Sequence, residues 1–182
     1  ETLEMHPEID IVLTNEGVYA LKNLLKTNLR DIELSGINGI AYRDESGDIR
    51  INPAEKIVPQ ELLQQDLPGV AYDLMPSLDQ YRTSSWHANY IDEDRSPFAS
   101  IYTSLGCLFK CEFCMINIIN RTDNDPNKAA SSFNKFRYWE PEFTIKQLDY
   151  LAEKGVKQIK IADELWVLKP KHFQRLCDLI IE

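Results

Sequence analysis

Three cysteines stand close together in the stretch Thr103–Cys114, TSLGCLFKCEFC, spaced C-x-x-x-C-x-x-C, with Phe113 just before the last. Thiolates packed this tightly suit soft metal chemistry. A [4Fe–4S] cube has four irons, and proteins that only carry electrons usually ligate all four with cysteine. Cys107, Cys111 and Cys114 would leave one iron with an open coordination site, and an open site implies a bound small molecule. Gly106 permits a sharp turn off a strand end. At the mouth of a parallel barrel or sheet, that is where such folds place their chemistry.

Two other readings of the same residues stay open. Structural zinc takes four ligands, usually as two knuckles of paired cysteines, and the second knuckle is missing here. Cys177, the one remaining cysteine, falls on the apolar stripe of the last helix, where a small buried thiol is ordinary, and His172 nearby is expected to face outward. Unliganded core filler is the third reading, although three cysteines behind a glycine make odd filler. A zinc-binding interaction module is therefore the rival class to an enzyme.

The elements that must position these residues fall into three regions. In residues 1–52, the run Ile9–Thr14 (IDIVLT) fits a buried parallel strand. Leu21, Leu24, Leu25 and Leu29 then recur at helical spacing, which predicts an amphipathic helix from Val18 to about Leu29. Ile40 with Tyr42 and Ile49 with Ile51 alternate around DESGD, which reads as a hairpin with glycine in its turn. Residues 53–97 carry Pro53, Pro59, Pro68, Pro76 and Pro97 without clear periodicity, which predicts a connector with short helical turns, one around Pro59–Gln65.

From residue 98 to 182 the pattern changes. FASIYTS is a strand leading into the cysteines, and the polar stretch Asn120–Lys135 reads as a loop. Pro141–Lys154 is a helix with proline at its first position, a stripe of Ile145, Leu148 and Leu151, and Gly155 as its cap. VKQIKIADE is the next strand. A last helix from Lys169 carries Phe173, Leu176, Cys177 and Ile180 on one face. Strand, helix, strand, helix is the rhythm of an α/β fold with a parallel sheet.

At the cysteines the sequence resembles the radical S-adenosylmethionine (SAM) superfamily, whose signature is C-x-x-x-C-x-aromatic-C. The resemblance implies that Cys107, Cys111 and Cys114 bind a [4Fe–4S] cluster, and that SAM chelates the fourth iron through its amino and carboxylate groups. It implies reductive cleavage of SAM to a 5′-deoxyadenosyl radical, with Phe113 near the adenine and an electron donor such as flavodoxin or ferredoxin. Where the family often carries Gly-Gly-Glu to hold the SAM amino group, this chain has Ala162-Asp163-Glu164. A carboxylate accepting from an ammonium is sound chemistry, and capping the loop before the next helix is the alternative.

The order of motifs is similar to the cobalamin-binding subgroup. That implies the end of a Rossmann-like cobalamin-binding domain, then a linker, then the first units of a partial (β/α)₆ barrel. Asn15, Glu16 and Gly17 would sit at the turn that in this subgroup reads Gly-Glu-Gly-Glu; Asn15 replaces a glycine and Val18 the second glutamate. Leu105 and Leu108 depart from the commoner Arg and Pro beside the cysteines. Methyl transfer to an unactivated carbon is the reaction the subgroup implies; a methylthiotransferase or an oxygen-independent cyclase is the alternative within the superfamily. Trp86-His87 reads either as lining between the cofactors or as a packing anchor. NKFRYWEP reads as a substrate-carboxylate holder or as a helix entry.

The composition sets outer limits. The 182 residues carry 29 acids against 20 bases, a net charge of −9, which argues against nucleic-acid binding and anionic membranes. No apolar run reaches transmembrane length. Four cysteines, three of them bunched, point to a reducing cytoplasm rather than a secreted disulfide framework. A chain that opens on Glu1 and stops inside a helical pattern is expected to be a piece of a longer protein.

Overall fold

The computed structural model describes residues 1–27, 33–84, 95–109, 111, 113–114 and 136–182. Leu29, Trp86-His87 and the loop expected at Asn120–Lys135 lie outside them. The chain divides into two compact units, Glu1–Pro59 with Cys107–Lys135, and Gln60–Gly106 with Phe136–Glu182.

In the first unit a single turn, α1 (Thr2–Met5), leads to β1 (Ile11–Leu13), α2 (Val18–Leu25), β2 (Ile40–Arg43) and β3 (Ile49–Ile51). The hairpin forms as expected, with Ala41 opposite Ile51 and Arg43 opposite Ile49. Its turn closes because the Asp44 carboxylate accepts from the backbone N–H of Ser46 and of Asp48, each at 3.0 Å, while Gly47 takes a left-handed φ of 86°. The expected parallel strand is corrected: β1 pairs antiparallel with β2, Ile11 opposite Tyr42 and Leu13 opposite Ile40. An apolar run encodes burial but not direction, and here the hairpin supplies the neighbour.

The helix stripe also shifts. Tyr19 and Ala20 are buried and Leu24 packs beside them, whereas Leu21 and Leu25 are exposed. Ala20, Ile37, Ile40 and Tyr42 form the core of this unit. The Asn52 side-chain amide, bonded at 2.7 Å to the carbonyls of both Leu34 and Ile37, closes the loop over it.

The second unit opens with helical turns at Gln60–Leu62, running into α3 (Leu63–Asp66), and at Tyr72–Leu74 and Leu78–Gln80. It continues with β4 (Phe98–Ile101), β5 (Ser104–Leu105), β6 (Arg137–Tyr138), α4 (Pro141–Glu153), β7 (Gln158–Ile161) and α5 (Pro170–Ile181). The expected strand–helix–strand unit is present: β4 and β7 pair in parallel from Phe98 opposite Gln158 to Ile101 opposite Ile161. Ala99, Ile101, Leu78 and Leu151 fill the core between this sheet and α4.

The short strand β6 escaped the sequence reading. It pairs antiparallel with β5, Ser104 opposite Tyr138. The Gln60 side-chain amide completes its open edge, donating to the Tyr138 carbonyl at 2.8 Å and accepting from the Tyr138 N–H at 3.0 Å. The Trp139 indole donates to the Leu67 carbonyl at 2.8 Å. Of the described residues in the aromatic run, Arg137 and Trp139 are buried, and Phe136 and Tyr138 are half-buried. Gly155 ends α4 at φ 78°, as expected of a left-handed cap.

Candidate cofactor site

The root of the cysteine loop is built by β4, β5 and β7. The Ala162 N–H donates to the Ile101 carbonyl at 2.8 Å, and the Trp139 N–H to the Thr103 carbonyl at 3.0 Å. Asp163 then gathers three donors onto its carboxylate: the Thr103 N–H at 2.7 Å, and the Thr103 and Ser104 hydroxyls at 2.6 Å each. Thr103 and Ser104 are buried. Gly106 follows with φ 94°, a conformation open to glycine, and turns the chain out of the strand.

Beyond that turn Cys107 and Cys114 are half-buried, Cys111 is exposed, and none is in a disulfide. The Cys114 N–H donates to the Cys111 carbonyl, three positions back, at 3.0 Å. Among the described residues no three Cys, His, Asp or Glu side chains stand as a group that could hold a metal ion, so the three sulfurs do not converge as they stand. The donor set itself fits an iron–sulfur cluster: three soft, unpaired, accessible thiols on one short loop. Phe113 is 92% exposed, and Leu108 and Phe109 are exposed beside it, so the loop presents apolar surface around its thiols.

The other expected site residues separate. Asp163 is engaged with Thr103 and Ser104, while its neighbour Glu164 is exposed. In the first unit Asn15 adopts φ 61° and its side-chain amide donates to the Glu55 carbonyl at 3.1 Å. Glu16 accepts the Val58 N–H at 2.7 Å, and Gly17, at φ 78°, starts α2. Both polar side chains of this turn thus bind their own chain.

His172 is corrected from outward to inward. It is 4% exposed, neither ring nitrogen has a hydrogen-bond partner among the described residues, and its ring lies 5.0 Å from that of Tyr138. Burial holds its pKa below the ordinary histidine value, opposed by Asp163 and Glu140 and aided by Lys169. It joins Tyr138, Lys169 and Arg175 around an open cavity of about 280 Å³. The buried face of α5 runs through His172 and Leu176, and Ile180, expected on it, is exposed.

The fold has solved counterparts. The structure of the enzyme OxsB with aqua-cobalamin and SAM bound matches 99% of this chain with a TM-score of 0.61 at 22% identity, over 22% of its own length. The structure of the methyltransferase TsrM from Kitasatospora setae, with tryptophan and a SAM analogue bound, matches 98% of this chain with a TM-score of 0.57 at 21% identity, over 30% of its own length. The chain has the fold of cobalamin-dependent radical SAM enzymes.

Among curated proteins, an uncharacterized methyltransferase of Pyrococcus horikoshii is 31% identical over 93% of this chain, and the 4′-phospho-dehydrooxetanocin synthase of Priestia megaterium is 26% identical over 84%. This chain spans 31% of the length of the first and 16% of the second. No family model matches it. A TsrM structure with cobalamin and a [4Fe–4S] cluster bound aligns at a TM-score of 0.57. No helix among the described residues is long and apolar enough to cross a membrane.

Proposed function

We propose that this chain carries the SAM-cleaving site of a cobalamin-dependent radical SAM enzyme that transfers a methyl group to an unactivated carbon of a small-molecule substrate. Cys107, Cys111 and Cys114 would hold a [4Fe–4S] cluster, leaving the fourth iron to the amino and carboxylate groups of SAM. When bound, that cluster supplies the electron that cleaves SAM to methionine and a 5′-deoxyadenosyl radical. The chain's own work is to hold and orient. Glu164, exposed at the end of β7, suits the SAM ammonium through charge-assisted hydrogen bonds. Phe113 offers apolar area to the adenine.

Asn15, Glu16 and Gly17 belong, in this reading, to the cobalamin side: residues 1–52 end that domain, 53–97 link, and 98–182 begin a partial (β/α)₆ barrel. A flavodoxin or ferredoxin would donate the electron in the cytoplasm.

One observation carries the reading: three thiols outside any disulfide follow a left-handed glycine that directly follows β5, the short strand just beyond the parallel strand β4. Anaerobic reconstitution with iron and sulfide tests it. About four irons and four sulfides per chain are expected, at the stoichiometry of a cube. One zinc per chain and no iron uptake would instead make the protein a zinc-binding interaction module.

A further inference from the structure

The carboxylate of Asp163 has a use that its position beside Glu164 conceals. An ionised carboxylate offers about four lone-pair sites. Three are taken by Thr103 N–H, Thr103 Oγ1 and Ser104 Oγ, all within 2.7 Å. The partners lie 60 and 59 residues away in sequence, Thr103 just before β5 and Ser104 its first residue, and both are buried. With the Ala162 N–H on Ile101 and the Trp139 N–H on Thr103, both sides of that segment are pinned. Gly106 and Cys107 follow within three residues of Ser104. We infer that Asp163 is a positioning residue for the cluster loop: it fixes the strand end from which the three thiols depart, and it leaves Glu164 as the carboxylate for SAM.

This rests on the proposed function, since it needs a cluster on those thiols. It adds that consecutive residues at the end of β7 divide two tasks. Asp163 is bonded to Thr103 and Ser104 of its own unit, and Glu164 is exposed.

The test uses the full chain, reconstituted anaerobically, and reads the cluster before SAM is added. Asp163→Asn removes the negative charge and keeps one acceptor oxygen for the Thr103 N–H, so that the two hydroxyls must turn and accept from the new N–H₂. Loss of one charge-assisted bond corresponds to about a tenfold factor or more. We expect a ferrous chelator to strip iron from the variant about that much faster, and the SAM-free spectrum of the reduced cluster to change. Glu164→Gln should leave both readouts alone and raise the SAM concentration for half-saturation by about tenfold.

Leu151→Ala, a cavity in the core of the same unit, is the control for general loosening. It should lower the melting temperature without altering the spectrum. An Asp163→Asn cluster with the native SAM-free spectrum and native iron-loss rate overturns the inference, as does an effect seen only when SAM is present. Should Asp163→Asn fail to fold, Thr103→Val and Ser104→Ala, each removing one donor, decide by the same readouts. If the native chain takes up no cluster, the proposed function itself fails, which is a distinct result.

Discussion

Two strand ends in this chain run into a left-handed glycine, and they are held in opposite ways. After β1, the turn Asn15-Glu16-Gly17 reaches outward: Asn15 donates to Glu55 and Glu16 accepts from Val58, so the turn holds the segment that follows the hairpin. After β5, Gly106 leads to the cysteine loop. The thiols are unpaired and Phe113 is bare, while Asp163 does the holding from another strand. Polar side chains bonded within the chain mark the first turn as a fastening. The second turn carries, among its described residues, three cysteines outside any disulfide and an exposed phenylalanine. The difference separates a turn that builds the fold from a loop that the fold presents.

The sharpest way to break this contrast is to exchange the consequences. Cys111→Ala should abolish the intact cluster while leaving the melting temperature of the cluster-free chain unchanged, measured by iron content and calorimetry. Cys177→Ala, on α5, should keep the cluster. If Cys177→Ala destroyed the cluster instead, the ligand set would be wrong.

At the other turn the balance reverses. Glu16→Ala removes the acceptor for the N–H of the fully buried Val58 and should cost about 1–3 kcal/mol of stability. Urea unfolding would measure it, and the iron content should not change. Gly17→Ala is smaller. Its added Cβ would meet Leu13 Cβ at an ordinary 3.4 Å, so only the left-handed backbone resists it, at about 1–2 kcal/mol.

The smallest effect is one of pH. Burial depresses the pKa of His172, so the unfolded chain takes up its proton more readily than the folded one. Stability should therefore be level above about pH 6.5, the unperturbed histidine value, and fall as pH drops below it toward the folded pKa. His172→Phe, which keeps a ring against Tyr138, should flatten that fall in a series of melts from pH 7 down to about pH 5.

Much of this was readable in the residues. The hairpin around DESGD, the helix from Pro141 to its glycine cap, the parallel pairing of FASI with QIKI and the cysteine loop are all local patterns. What escaped depends on partners far along the chain. The direction of β1 is set by β2, nearly thirty residues on. β6 is two residues inside an aromatic run, too short for alternation to register, and is stabilised by the side chain of Gln60. His172 lies beside the expected stripe of α5, and its burial depends on Tyr138. The surroundings of Asp163 and Glu164 are indistinguishable in the string Ala-Asp-Glu; Asp163 meets Thr103 and Ser104 only once β4 and β7 are side by side, and Glu164 is exposed.

The account turns on the vacancy at the fourth iron. The most direct measurement is magnetic resonance of the reduced, reconstituted cluster, titrated with SAM labelled at its carboxylate oxygen. The account predicts a shifted spectrum at saturation, with hyperfine coupling from the label to the cluster. A spectrum indifferent to SAM, with a protein side chain as the fourth iron's ligand, would contradict it.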